Sequence, residues 1–160
     1  MTEAVSEGTV NDPVVQLVTF LLAGETYGIN VMQVQEVLRV SEIAPVPGAP
    51  FYVLGIINLR GNVVTVIDTR SRFGLPPGEI GYSSRIVIIE AEKQVVGILV
   101  DIVAEVIDLH LSAVESAPNV GNQENSKYIQ GVATVNGKLL ILVDLNKLLT
   151  DDEWVEVRSV

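Results

Sequence analysis

An internal repeat constrains this chain more than any other feature of its sequence. When Gly28 is set against Gly97, GINVMQVQEV lies over GILVDIVAEV and six of ten positions are identical. When Gly55 is set against Gly131, YVLGIINLRGNVVTVID lies over YIQGVATVNGKLLILVD, with the tyrosine, both glycines and the final aspartate in common. The offsets differ because the second copy has a longer middle loop, 109–127. The sequence therefore predicts two copies of one small structural unit.

Each copy has the pattern of short strands separated by turns. β-Branched segments are bounded by turn signals at Ala23-Gly24-Glu25 and at Arg60-Gly61-Asn62, which is typical of β-hairpins. Segments such as RIVIIEA and LLILV are apolar at nearly every residue, which indicates sheets covered on both faces. A unit of about 65 residues is only marginally stable alone. We therefore expect two small barrels that share an apolar core, followed by a short terminal helix because Thr150 and Glu153 have the spacing of a capping box.

The composition excludes several classes of function. The formal net charge of −10 is opposite to the basic surface that a nucleic-acid backbone or an anionic membrane requires. The absence of cysteine excludes disulfides and thiolate metal sites and favours the cytosol. His110 is the single histidine, and no cluster of possible ligands accompanies it. We therefore expect neither a metal nor a cofactor.

Two aspartates are the best candidates for catalytic groups. Asp68 and Asp144 follow equivalent predicted strands, and paired aspartates on duplicated β units are the arrangement of aspartic proteases. Those enzymes need a glycine after the Thr or Ser that follows the aspartate, whereas Arg70 stands at that place here. We expect each aspartate to bind backbone N–H groups of the following turn, and we predict no enzyme activity. A hydrolase is the disfavoured alternative, and a small-ligand sensor using a groove between the barrels is another.

Arginine is concentrated in the first copy of the repeat. Arg60 corresponds to Asn136, and neither Arg70 nor Arg72 has an arginine at the equivalent place. Arginine has a planar set of five donors and is enriched at interface hot spots. This asymmetry indicates a binding surface in the first copy. The alternative is that Arg60 is a solvated turn residue and the other two arginines pair with nearby acids.

At these residues the chain resembles the CheW-type chemotaxis coupling proteins. The resemblance rests on VLGIINLRGNVVTVIDTRSRFGLP, YGINVMQVQEVLR and IAPVPGAPFYVLG, and it extends from about Val14 to Leu149. It implies an all-β fold of two SH3-like five-stranded β-barrels with short helical segments. It also implies a non-catalytic cytoplasmic adaptor whose partners are the signalling tip of methyl-accepting chemoreceptors and the regulatory domain of a CheA-type histidine kinase, in membrane-associated receptor arrays. A paralogous adaptor of a different receptor–kinase pathway remains an alternative.

The resemblance also implies boundaries along the chain. We expect a flexible N-terminal segment, one domain of two subdomains joined by a linker, and an acidic C-terminal tail. The respective ranges are 1–13, 14–150 with subdomains 14–75 and 82–149, the linker 76–81, and 151–160.

The resemblance implies roles for individual residues as well. A groove between the subdomains would hold a receptor helix hairpin, with apolar walls supplying energy and a charge fixing the register. The residues expected to line or flank this groove are Val34, Glu36, Asn58, Arg60, Gly61, Ile86 and Val103. Gly55 and Gly97 would permit turns or close backbone approach. Kinase contact is expected at exposed barrel ends, with Glu115 and Val120 as candidates within the segment LHLSAVESAPNV.

Overall fold

The computed structural model describes residues 12–116 and 127–158. Within them the chain forms ten strands in two five-stranded sheets, two α-helices and short 3-10 turns. The strands are β1 (Val14–Leu22), β2 (Glu25–Asn30), β3 (Val34–Arg39), β4 (Val53–Leu59), β5 (Asn62–Ile67), β6 (Arg85–Ala91), β7 (Gln94–Val100), β8 (Ile102–His110), β9 (Ile129–Val135) and β10 (Lys138–Val143). The helices are α1 (Thr69–Arg72) and α2 (Asp151–Arg158), and the 3-10 turns span Val31–Gln33, Leu111–Ala113 and Leu145–Lys147.

The two sheets have the same topology. The sheet of barrel A has the strand order β8-β1-β2-β10-β9, and that of barrel B has the order β3-β6-β7-β5-β4. Each contains one parallel pair, β2 with β10 or β5 with β7, among otherwise antiparallel pairs. The predicted all-β fold of two five-stranded SH3-like barrels is confirmed.

The strand register confirms the internal repeat. Gly28 lies opposite Leu142, which lies opposite Gly131. Gly97 lies opposite Val66, which lies opposite Gly55. Strands β1 to β5 therefore correspond in order to β6 to β10, and the glycines aligned in the sequence occupy the same places in the two sheets.

The barrels do not follow the predicted subdomain boundaries of 14–75 and 82–149. Barrel A takes β1 and β2 from the first copy and β8 to β10 from the second, and barrel B takes β3 to β7. Tight hairpins need positive φ in the turn, and the turns after β1, β4, β6 and β9 have it. The links after β2 and β7 contain no positive-φ residue, so the chain continues forward into the other barrel. The repeats are thus exchanged between the barrels.

Among the described residues, three apolar cores hold the fold together. Barrel A encloses one around Leu17 and Leu140, and barrel B encloses one around Val66 and Ile88. A third and larger core lies between the barrels and includes side chains of both, such as Phe20, Leu22, Val87 and Ile89. Along β6, alternate residues face the barrel B interior and the shared core. This arrangement explains why the strands are apolar on nearly every residue and confirms the predicted shared core.

Residues 151–158 form a packed helix, which corrects the prediction of an acidic tail. Thr150 and Glu153 form the capping box, since the Thr150 N–H donates to the Glu153 carboxylate at 2.8 Å and the Glu153 N–H donates to the Thr150 hydroxyl at 3.1 Å. Trp154 and Val157 of α2 are buried in the shared core. Residues 151–158 therefore belong to the folded domain.

The other predicted boundaries concern the N-terminus and the linker. Of the predicted flexible segment, residues 1–11 lie outside the described part of the chain. Asp12 accepts hydrogen bonds from the N–H and hydroxyl of Ser112, and the Pro13 carbonyl accepts one from the N–H of Leu111. Residues 76–81 lie within the irregular connection between α1 and β6.

Candidate functional site

Arg60 is presented by the tight hairpin between β4 and β5. Arg60 and Gly61 both have positive φ, +51° and +88°, as a two-residue turn of the primed type requires. The Gly61 N–H donates to Oδ1 of Asn58 at 2.8 Å. Asn58 and Gly61 therefore shape the turn, and Arg60 projects from it with 69% of its side chain exposed.

Arg60 binds Glu36 with a bidentate ion pair. Its Nη2 lies 2.5 Å from Oε2 of Glu36, and its Nη1 lies 3.3 Å from Oε1. The hydrogen bond from Arg60 lowers the pKa of Glu36 below its usual value. Glu36 lies on β3 and Arg60 follows β4, and these strands are the two edges of the barrel B sheet. The pair therefore bridges the open edges of barrel B and fixes the direction of an exposed guanidinium.

Val34 and Val103 occupy equivalent places in the repeat, on β3 and β8. Each is partly buried and packs against the core between the barrels. Exposed valines follow on the same strands, Val37 at 42% and Val106 at 55% exposure. The structure thus gives both predicted residues a partly accessible apolar position where the barrels meet.

Ile86 does not line a groove, which corrects the prediction. It is 1% exposed and belongs to the interior of barrel B. Its Cγ2 would lie 2.7 Å from a Cβ added at Gly97. The role of Ile86 is to pack against the glycine of the neighbouring strand, so it acts on any surface site only through the barrel.

Gly55 and Gly97 lie within strands and not in turns, and neighbouring atoms approach both of them closely. A Cβ at Gly55 would lie 2.4 Å from the carbonyl oxygen of Ala44, because a two-bond bridge joins Ala44 to Ile56 beside it. Gly97 lies in the middle of β7 and faces Ile86. A backbone atom thus approaches closely at Gly55 and a side chain at Gly97, and the predicted role of the two glycines in a groove stays a prediction.

The predicted kinase-contact residues are only partly within the described chain. Glu115 is exposed, and its backbone forms two hydrogen bonds with Val132, of 2.7 and 2.8 Å. This bridge is the counterpart of the bridge between Ala44 and Ile56 in barrel B. Val120 lies outside the described residues.

The two candidate catalytic aspartates are turn caps. Oδ1 of Asp68 accepts the N–H of Ser71 at 3.2 Å, and Oδ1 of Asp144 accepts the N–H of Asn146 at 3.1 Å. Asp68 follows β5 of barrel B and Asp144 follows β10 of barrel A. The capping role is confirmed, and the two carboxylates occupy separate barrels, which contradicts the dyad of an aspartic protease.

Arg70 and Arg72 are structural. Arg70 binds Asp101 through Nε at 3.2 Å and Nη2 at 2.6 Å, and Arg72 binds Glu153 with two contacts of 3.0 Å. Asp101 also accepts the N–H of Ala23 at 2.9 Å. Burial raises the pKa of Asp101, but the hydrogen bonds from Arg70 and Ala23 outweigh it, so the pKa is lowered overall. Pairing with nearby acids is therefore correct for these two arginines, and sequence analysis missed the partner Asp101.

The candidate site is thus a surface formed by edge strands and hairpins of a duplicated double barrel. In residues 12–116 and 127–158, no three acidic or histidine side chains converge as a metal site would require. Helices long and apolar enough to cross a membrane are also missing from these residues. The class defined by this fold and site is a double-barrel protein that presents binding surfaces.

Comparison with known proteins identifies the family. The chain belongs to the CheW-like domain family, whose model matches residues 16–153. It is similar to the chemotaxis protein CheW of Treponema pallidum, with 38% identity over 155 residues that cover 94% of this chain and 91% of that protein. The chemotaxis protein CheW of Bacillus subtilis is 37% identical over 134 residues, 84% of this chain and 86% of that protein.

A solved structure agrees with the assignment. The scaffolding protein TtCheW from Thermoanaerobacter tengcongensis matches with a TM-score of 0.78 and 35% identity. The match covers 85% of this chain and 92% of that one. The resemblance seen in the sequence is therefore confirmed at the level of both family and fold.

Proposed function

We propose that this protein is a non-catalytic adaptor that couples chemoreceptors of the methyl-accepting type to a CheA-type histidine kinase. Its family and the chemotaxis and scaffolding names of its relatives support this role. They favour it over the small-ligand sensor that the sequence left open. The protein would act in the cytoplasm and be recruited to membrane-associated receptor arrays.

The receptor would bind where the barrels meet, near the hairpin of Arg60. The observation that carries this proposal is that Arg60 is held by Glu36 while 69% of its side chain stays exposed. A charge fixed in direction can set the register of a bound helix, and partly exposed apolar residues supply binding energy. Val34 and Val103 provide such apolar surface on the two barrels. Glu115 and Val120 remain our candidates for contact with the kinase.

A pull-down from lysate of the source cells tests the proposal. Three baits are compared, the wild type, Arg60→Ala and Lys93→Ala, and the recovered proteins are identified by mass spectrometry. Lys93 is the matched control, because it is also a cation with positive φ at a hairpin tip, +63°. We expect the wild type and Lys93→Ala to recover a chemoreceptor and a histidine kinase, and Arg60→Ala to lose the receptor.

Two results would contradict the proposal. Recovery of neither partner by a wild-type bait that circular dichroism shows to be folded would remove the adaptor role. Equal recovery of the receptor by the Arg60→Ala bait would leave the adaptor role standing but would move the receptor site away from this hairpin.

A further inference from the structure

The end of barrel A that carries Asn136 and Glu105 corresponds to the end of barrel B that carries Arg60 and Glu36. We call this end the mouth of barrel A. Asn136 and Gly137 form the same two-residue turn between β9 and β10, with φ of +54° and +79°. Glu105 lies on β8 where Glu36 lies on β3, because Val103 and Val34 align two residues earlier. The backbone and the acid are therefore repeated in barrel A, while the arginine is replaced by asparagine.

Glu105, the acid of barrel A, forms no ion pair with another residue in the described part of the chain. Among the described residues, the ion pairs join Arg60 to Glu36, Arg70 to Asp101, Arg72 to Glu153 and His110 to Asp12, and none includes Glu105. The Asn136 side chain is neutral. Glu105 is thus an exposed carboxylate without the guanidinium that its counterpart has.

The strand pairing beside Glu105 also differs between the barrels. In barrel B, Glu36 lies directly opposite Ile88, which is fully buried. The equivalent residue in barrel A is Thr19, where the register between β1 and β8 shifts. The Thr19 hydroxyl donates to the Glu105 carbonyl at 2.8 Å and accepts the Glu105 N–H at 3.1 Å. The Thr19 hydroxyl thus binds the backbone groups of Glu105 in place of a backbone partner on β1.

A cavity of about 280 Å³ lies at this mouth. Its apolar lining includes Leu21, Ile107, Val135 and Leu139, and the polar residues Glu105, Asn136 and Lys138 lie on its wall. Lys138 is in none of the ion pairs of the described residues. An arginine suits such a cavity because its methylene stem packs on apolar side chains while its planar guanidinium binds a carboxylate with two hydrogen bonds. In barrel B the chain itself supplies that group.

We propose that the mouth of barrel A is a docking site for a segment of a partner protein that carries an arginine between apolar side chains. The arginine binds Glu105 as Arg60 binds Glu36, and the flanking side chains pack on Leu21, Val135 and Leu139. We choose arginine as the occupant because Glu105 is negatively charged, and because Arg60 binds the equivalent acid, Glu36, in barrel B. The site is separate from the Arg60 hairpin, so it adds a second surface to the adaptor.

A nuclear magnetic resonance titration of the labelled full-length chain tests the proposal. The probe is acetyl-Leu-Arg-Leu-amide, and the matched probe is acetyl-Leu-Gln-Leu-amide. We expect the arginine peptide to shift the backbone signals of Thr19, 104–107 and 135–139, with a dissociation constant on the order of 1 mM. The glutamine peptide should bind at least about tenfold more weakly, because it lacks the charged hydrogen bonds.

Three variants assign the binding to the mouth of barrel A. Glu105→Gln should weaken binding of the arginine peptide at least about tenfold. Asp108→Asn, which changes an exposed carboxylate of the same strand, should leave binding unchanged. Asn136→Arg places the barrel B arginine in the equivalent turn, and we expect it to fill the cavity and abolish binding.

The proposal is overturned by any of three outcomes. These are equal binding of the two peptides, unchanged binding to Glu105→Gln, and the absence of any shift with the wild type at about 10 mM peptide. None of them bears on the receptor pull-down, which depends on Arg60.

Discussion

Replacing glycines with alanine should destabilise this protein in an order set by what each added Cβ meets. At Gly55 the Cβ would lie 2.4 Å from the carbonyl oxygen of Ala44 and 2.8 Å from Cγ2 of Ile43. The carbonyl cannot rotate away, because Ala44 and Ile56 are joined by two backbone hydrogen bonds of 2.9 Å. At Gly28, by contrast, the nearest atoms are the flexible ends of leucine side chains at 3.3 and 3.4 Å.

The expected cost at Gly55 follows from these contacts. Breaking the bridge loses two hydrogen bonds, each worth about 1 kcal/mol net, and forcing an extra carbon into a packed site costs about 1–3 kcal/mol. The change to alanine also adds about 0.4–1 kcal/mol to the free energy of unfolding, because it reduces the entropy of the unfolded chain. We therefore expect Gly55→Ala to lower the free energy of unfolding by about 2–4.5 kcal/mol.

Gly131 and Gly28 complete the series. A Cβ at Gly131 would lie 2.6 Å from Val114 Cγ1 and 2.8 Å from the Glu115 carbonyl oxygen, so its cost should be somewhat below that of Gly55. Gly28→Ala should change stability by less than about 1 kcal/mol, since the leucine ends can move.

Chemical and thermal denaturation followed by circular dichroism measure the series. The expected fall in melting temperature for Gly55→Ala is about 4–18 °C, given about 2–4 °C per kcal/mol for a chain of this size. A Gly55→Ala protein as stable as the wild type, or a Gly28→Ala protein less stable than Gly55→Ala, would refute the reasoning from close approach.

Three further predictions concern the terminal helix and the junction between the barrels. Trp154→Ala should lower the free energy of unfolding by about 3–5 kcal/mol, because it leaves a cavity in the shared core. Val155→Ala, at a position 54% exposed, should have a much smaller effect in the same denaturation assay. Thr150→Ala should cost about 1 kcal/mol through loss of the helix cap, and an unchanged denaturation midpoint would contradict that role. The lowered pKa of Asp101 means that its bond to Arg70 stabilises the fold above the unfolded pKa of about 3.8 and loses this effect as pH falls through the lower folded value. Asp101→Asn should therefore be less stable than the wild type at neutral pH, and the difference should shrink below about pH 4 in acid denaturation. A stability difference between Asp101→Asn and the wild type that does not change with pH would contradict this role of Asp101.

Local features of the fold could be predicted because they depend on neighbours in the sequence. The turn at Arg60-Gly61 needs positive φ at both residues, and a glycine flanked by two apolar runs indicates it. The capping box of Thr150 and Glu153 is equally local. Burial on both faces follows for strands that are apolar at nearly every position, such as β6. Each of these predictions is confirmed.

Parts of the candidate site could not be predicted because they depend on partners far apart in the chain. The family resemblance implies a role for both Glu36 and Arg60, but their ion pair joins residues 24 positions apart. The partnership of Arg70 with Asp101 spans 31 positions. The resemblance also implies that Ile86 lines or flanks the groove, whereas the pleat of β6 turns it into barrel B. A one-residue step along a strand reverses the face, and only the packed sheet decides which face is inside.

The sequence by itself determined that the protein is a duplicated β unit with apolar strands, tight hairpins and, in the first copy only, an arginine at the second hairpin turn. The tertiary structure decided which strands share a barrel. In a duplicated chain, the first two strands of either copy can satisfy nearly the same side-chain pattern in either barrel, so the pattern cannot choose between them. The links after β2 and β7 have no positive-φ residue to make a tight hairpin, and the chain therefore crosses over. That exchange makes each barrel from both copies.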